Sequence, residues 1–227
     1  MLSTFPGYWN RFCRNLIISF LIFLIGLAAG FLICFIMFSG LGVYKKPIDP
    51  SEMVFIFLRT VSISFLLAYG GSFLALGEIR VYKRMEKKSY ERLGKPWDFL
   101  YKFLGRFDPA LKKLDSVFRT CYYVLFGFPA VGIFVIGSVM GVYLGLFRNA
   151  LGLFSEVLFP HIFIEMPVYL VCAALGLLIA GNAKEMILKN NLEKIEIGIK
   201  KSLRKFAFLW PVILILLFVS AYLEVFY

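Results

Sequence analysis

Four ionisable side chains stand inside apolar runs of this 227-residue chain: Arg59, His161, Glu165 and Glu224. A guanidinium, an imidazole and two carboxyls surrounded by hydrocarbon could share a proton, hold a cation or neutralise one another. An ionised group in lipid costs at least about 2.5–3.5 kcal/mol, so such groups pair or face a wet cavity. His161 and Glu165 are four residues apart and share one helical face, continued by Cys172 and Gly176. Arg59 lies seven residues into its run, roughly 10 Å deep at about 1.5 Å per residue. His161 and Glu165 lie three and seven residues into theirs, and Glu224 three residues before the end of its own. If the runs cross a bilayer alternately, these depths fall in one slab. We expect Arg59, Glu165 and Glu224 to meet there, with His161 at the edge.

One Arg cannot neutralise two carboxylates, so either His161 or one Glu is protonated, or Glu224 reaches the aqueous boundary. The cluster reads either as a polar knot that fixes helix register or as a proton, ion or ligand site. As a metal site it is poor, because one His with carboxylates lacks the ligand count of a tight transition-metal site.

Composition says which elements must carry these groups. Hydrophobic residues make up 60% of the chain and charged residues 17%, with a mean hydropathy of +0.81; soluble domains hold roughly 45–50% apolar residues. With 26 Phe, this is more apolar surface than one water-soluble core of this size hides. Disordered chains are poor in such residues, so disorder is excluded too. A hydrocarbon core needs about 20 apolar residues as helix. Five segments qualify, at about 16–38, 53–77, 121–147, 158–181 and 206–226. The first exceeds a signal-peptide core and lacks a small-x-small cleavage site, so we expect it to remain as a permanent span. No small residue precedes Cys34 as a lipoprotein signal would require. The expectation is an all-α, five-span transmembrane bundle forming a single membrane domain, with a cytoplasmic helical insertion at 78–120 and an amphipathic cytoplasmic connection at 182–205.

Lys and Arg set the orientation. Alternate connections hold 21 of them against three in the others, which puts the N-terminus in the cytoplasm and the C-terminus outside the cell membrane. Trp9, Trp97 and Trp210 then fall near the cytoplasmic interface. The net charge of +11 faces anionic lipid rather than nucleic acid. The four Cys show no metal-ligand spacing or disulfide framework. No catalytic motif, phosphate loop or dinucleotide fingerprint appears, so we expect no enzyme, no catalytic, metal-binding or cofactor-binding residues, and no cofactor.

Two connections carry helical patterns. After the second run the pattern continues to about Leu93, and Gly94, Lys95 and Pro96 then break it. Trp97, Leu100, Phe103, Leu104 and Phe107 follow on one face, with Asp98, Lys102 and Arg106 opposite, as in a helix lying in the membrane interface. Likewise Leu188, Leu192, Ile195, Ile199 and Leu203 oppose Lys189, Glu193, Glu196 and Lys200. Both read either as interface-hugging linkers or as a docking surface for a cytoplasmic partner. Gly137, Gly141 and Gly145 have the spacing that lets helices approach closely in lipid. They serve packing within the chain or a face of a homo-oligomer, with a dimer favoured. Pro129 in the same run could kink it.

At the charged positions the chain resembles a known family. Phe159-Pro-His-Ile-Phe-Ile-Glu-Met-Pro-Val168, followed by Ala173-Ala-Leu-Gly-Leu177, is similar to the Pro-His-Gly-x-x-Glu-x-Pro-Ala motif of the stage II sporulation protein M family of membrane proteins. Pro160, His161, Glu165, Pro167 and Gly176 match; Ile162 and Val168 replace the usual Gly and Ala. Ser220-Ala-Tyr-Leu-Glu-Val-Phe226 resembles the family's C-terminal Ala-x-x-Ile-Glu-x-Phe signature, with Glu224 in the Glu position. Phe57-Leu-Arg59 and Ile136-Gly137 are weaker matches, each lacking the family's usual Asn. The segment 80–120 looks like an insertion relative to compact members. The resemblance implies a membrane anchor or scaffold, since the family's namesake joins peptidoglycan hydrolases in an envelope-remodelling complex of spore formers. Many members occur outside spore formers, so sporulation is not implied. A second reading, from the cluster itself, is a small transporter, channel or permease subunit handling a proton or ion.

Overall fold

In hydrocarbon the backbone must satisfy its own hydrogen bonds, so each apolar run closes into helix. The computed structural model describes residues 5–37, 52–85, 114–146 and 151–226, with side chains described over 7–36, 52–85, 114–146 and 162–226. Among the described residues the chain is helical almost throughout and contains no strand. The α-helices are α1 (Phe5–Met37), α2 (Met53–Phe65), α3 (Gly71–Arg84), α4 (Ser116–Leu146), α5 (Leu151–Leu188), α6 (Leu192–Phe206) and α7 (Trp210–Phe226). A five-residue π turn, Leu66–Gly70, joins α2 to α3, and a 3-10 turn, Ala207–Leu209, joins α6 to α7. Among the described residues, five stretches are long and apolar enough to cross a membrane: Gly7–Ile36, Met53–Arg84, Ser116–Leu146, Ile162–Leu188 and Leu192–Phe226. This is the five-span helical bundle that the sequence predicts.

The helix bounds differ from expectation in two places. α1 begins at Phe5, well before residue 16, because Pro6 is tolerated in a first helical turn and nothing after it interrupts the helix. The helix expected to run to about Leu93 stops at Arg84, where Met85 turns extended (φ −103°, ψ 151°). The predicted interfacial helix with Trp97, Leu100, Phe103, Leu104 and Phe107 lies outside the described residues.

α1 and α4 pack through small residues contributed by both sides. A Cβ added at Gly26 or Gly30 would meet the Phe134 and Ser138 backbone, and one at Gly137 or Gly141 would meet Phe23 and Leu27; Gly145 rests on Cys34. Three of the five, Gly137, Gly141 and Gly145, are the glycines picked out by spacing. Their face is therefore occupied by α1 of the same chain.

α5 is the central helix and packs against α1, α2, the π turn, α3, α4, α6 and α7. Its Cys172, Ala173, Ala174, Ile179 and Ala180 are fully buried, and small residues are what let so many neighbours approach. At one end of the bundle, Ile195 and Ile199 of α6 are fully buried against Ala75, Ile79, Val117, Phe118, Ala183 and Ile187. The apolar face of α6 is thus buried on the ends of α3, α4 and α5 rather than turned to lipid, because those ends expose an apolar patch of matching size. Asn191 caps α6 by accepting a hydrogen bond from the Lys194 amide at 3.0 Å.

Candidate functional site: a three-helix polar cluster

Lipid exposes the apolar surfaces of a bundle, so the polar side chains it encloses need partners within the protein. Arg59 comes from α2, Glu165 from α5 and Glu224 from α7, and these three helices pack against one another pairwise. The Arg59 Nη2 lies 3.5 Å from both Oε1 and Oε2 of Glu224. That length makes a loose ion pair rather than a tight hydrogen bond. The Arg59 side chain is 47% exposed and that of Glu224 13%, so the pair sits at the rim of the bundle. Phe57 and Phe218 pack edge to face at 5.8 Å and hold α2 on α7 beside it.

Glu165 lies deeper, only 7% exposed. Tyr169, one turn further along α5, donates its hydroxyl to Oε2 at 3.4 Å. Oε1 has no hydrogen-bond partner among the described residues. Glu224 and Arg59 lie within electrostatic reach of this carboxyl, and the hydroxyl of the fully buried Ser220 is a hydrogen-bonding neighbour of it. The structure therefore groups Arg59, Glu165 and Glu224, but Arg59 forms its ion pair with Glu224 rather than with the buried Glu165. His161 and Pro160 fall in α5, but their side chains are outside those described. Pro167 is exposed on α5, away from the buried face.

Gly176 has a different role from the charged residues. A Cβ there would stand 2.5 Å from the Leu67 carbonyl oxygen of the π turn and against Pro129 of α4. The glycine lets α5 meet the widened turn directly, and π turns of this kind concentrate at functional sites. Two residues escaped the sequence reading: Tyr169 and Ser220. Neutral hydroxyls carry no charge signal in an apolar run, although Tyr169 stands at the i+4 position from Glu165, where a helical neighbour is expected.

A second polar group fastens the opposite end of the bundle. Glu196 of α6 accepts from Lys200 at 2.6 Å and from Lys83 of α3 at 2.8 Å. These hydrogen bonds, the Lys200 one first, hold the Glu196 carboxyl well below the ordinary carboxylate range, at about 2.

Five apolar spans, the fourth enclosed by the others, with a charged cluster shared by three of them, define a multi-pass helical membrane protein. Within that class, the sequence model of the stage II sporulation protein M family matches residues 117–227, so over this stretch the chain is similar to that family. The match takes in almost all of α4 and the whole of α5 to α7, and with them Glu165, Gly176 and Glu224. No curated protein and no solved structure matches the chain.

Proposed function

We propose that the chain is a non-enzymatic scaffold or anchor subunit of a membrane complex, with its N-terminus in the cytoplasm and its C-terminus outside. What supports this reading above all is the enclosure of α5. The central helix packs on every other described helix, and its Glu165 lies beside the Arg59–Glu224 pair that ties α2 to α7, as suits a rigid platform. The basic α6 end then faces the cytoplasm and the Arg59 end faces outward, following the placement of Lys and Arg. Self-association, as a dimer, would use a face other than the glycine stripe, which α1 covers. Affinity capture of the detergent-solubilised chain from its native membrane tests the anchor role. Defined protein partners at fixed stoichiometry are the expected result, and recovery of the chain with lipid alone would contradict it.

The unpartnered Oε1 of Glu165 favours a second reading, a small transporter or channel subunit that handles a proton or ion at the cluster. Proteoliposome flux compared between the parent and Glu165→Gln separates the two: equal absence of flux removes transport.

A further inference from the structure

Charge counting at the cluster leaves a remainder. Among the described residues, Arg59 is the one cation within reach of two carboxyls, Glu165 and Glu224, and it contacts Glu224. Glu165, more than nine-tenths buried, receives only neutral hydroxyls and nothing on Oε1. A full negative charge left there in a low-dielectric surrounding would be among the costliest arrangements a protein can hold. Hydroxyl oxygens stand next to it on two helices, Tyr169 on α5 and Ser220 on α7. Carboxylate and hydroxyl oxygens are the donors that hard cations take.

We propose that the cluster binds one monovalent cation, a proton or an alkali ion, at Oε1 of Glu165, between α5 and α7. Among the described residues the count calls for a single positive charge, because two carboxylates and one guanidinium leave a remainder of one. A proton would form an O–H bond at Oε1; an alkali ion would be held by Glu165 with the Ser220 hydroxyl and, at the rim, a Glu224 oxygen. Every charged or titratable described group facing Glu165 enters this count: Arg59 from α2, Tyr169 from α5 itself and Glu224 from α7. Occupancy is distinct from passage, so such an ion would brace a scaffold as readily as it would serve a transporter.

The purified chain in nanodiscs allows a direct test, because a ligand that binds the folded state raises the unfolding temperature by mass action. Unfolding is followed while sodium or potassium chloride replaces N-methylglucamine chloride at fixed pH and ionic strength, and again across pH at fixed salt. The parent is expected to shift by several degrees in one of the two series. A salt response identifies an alkali ion and a pH response the proton. Glu165→Gln and Glu224→Gln are each expected to lose the response, since one guanidinium then balances one carboxylate, while Glu196→Gln keeps it. A parent insensitive to both, or a response that survives in both cluster variants, overturns the proposal. Should neither cluster variant fold, the infrared difference spectrum of the parent between the same conditions decides. Above the pH at which exposed carboxylates titrate, a carboxyl band supports the site, and a spectrum without one rejects it.

Discussion

Tyr169→Phe asks how far Glu165 depends on the Tyr169 hydroxyl. The contact is long, 3.4 Å, and its loss leaves a buried acceptor unsatisfied, so the expected cost is near the low end for such a loss, about 1 kcal/mol. Reversible unfolding in detergent measures it; a neutral result would mean that Oε2 finds another donor. At this scale the charged residues were legible because lipid makes charge rare, and depth along each run then sorts Arg59, Glu165 and Glu224 into one slab. Their pairing was not legible. Which carboxyl takes the guanidinium depends on side-chain reach across three helices, and the hydroxyls of Tyr169 and Ser220 look, in sequence, like any other polar atom in an apolar segment.

Among the elements, the α1–α4 contact is the most constrained. Gly141→Leu must push α1 away, because its new side chain would enter the Leu27 backbone. Overpacking of this kind costs typically about 1–3 kcal/mol, and a backbone obstacle puts it at the upper end. Gly127→Ala, with open space around its Cβ position, should be neutral or stabilising by up to about 1 kcal/mol from helix propensity. Equal effects in the two variants would contradict the packing. The α6 tie to α3 has a pH signature. Glu196 falls from an ordinary 4.5 to about 2 in the folded chain, so its stabilisation is complete above about 4.5 and fades as pH drops towards 2. Amide exchange in α6, corrected for intrinsic rate, should lose protection in that window, and Glu196→Gln should remove the step. Sequence periodicity showed the two faces of α6 but not its counterpart, since the apolar patch on α3, α4 and α5 exists only once they pack. The π turn was equally invisible: Leu66-Leu-Ala-Tyr-Gly70 reads as plain helix, and its meeting with Gly176 is a tertiary fact.

For the molecule as a whole, five crossings place the termini on opposite faces of the membrane. Tags at the two ends should therefore differ in intact cells; under the proposed orientation the C-terminal one is reachable from outside and the N-terminal one only after permeabilisation. Two tags on one face would refute the five-span topology, and a reversed pair would refute the orientation alone. Fold class was the easiest property to read, since hydrocarbon thickness and backbone hydrogen bonding leave few alternatives for runs this long and apolar.

The meeting of α2 with α7 at Arg59 and Glu224, beside Glu165, is what the account rests on, and a double-mutant cycle tests it most directly. The parent, Arg59→Gln, Glu224→Gln and the double variant are compared by reversible unfolding in detergent. The expected coupling is about 1 kcal/mol, in the range measured for polar pairs between membrane helices. A coupling no larger than the scatter of independent sites, about 0.3–0.5 kcal/mol, would contradict it.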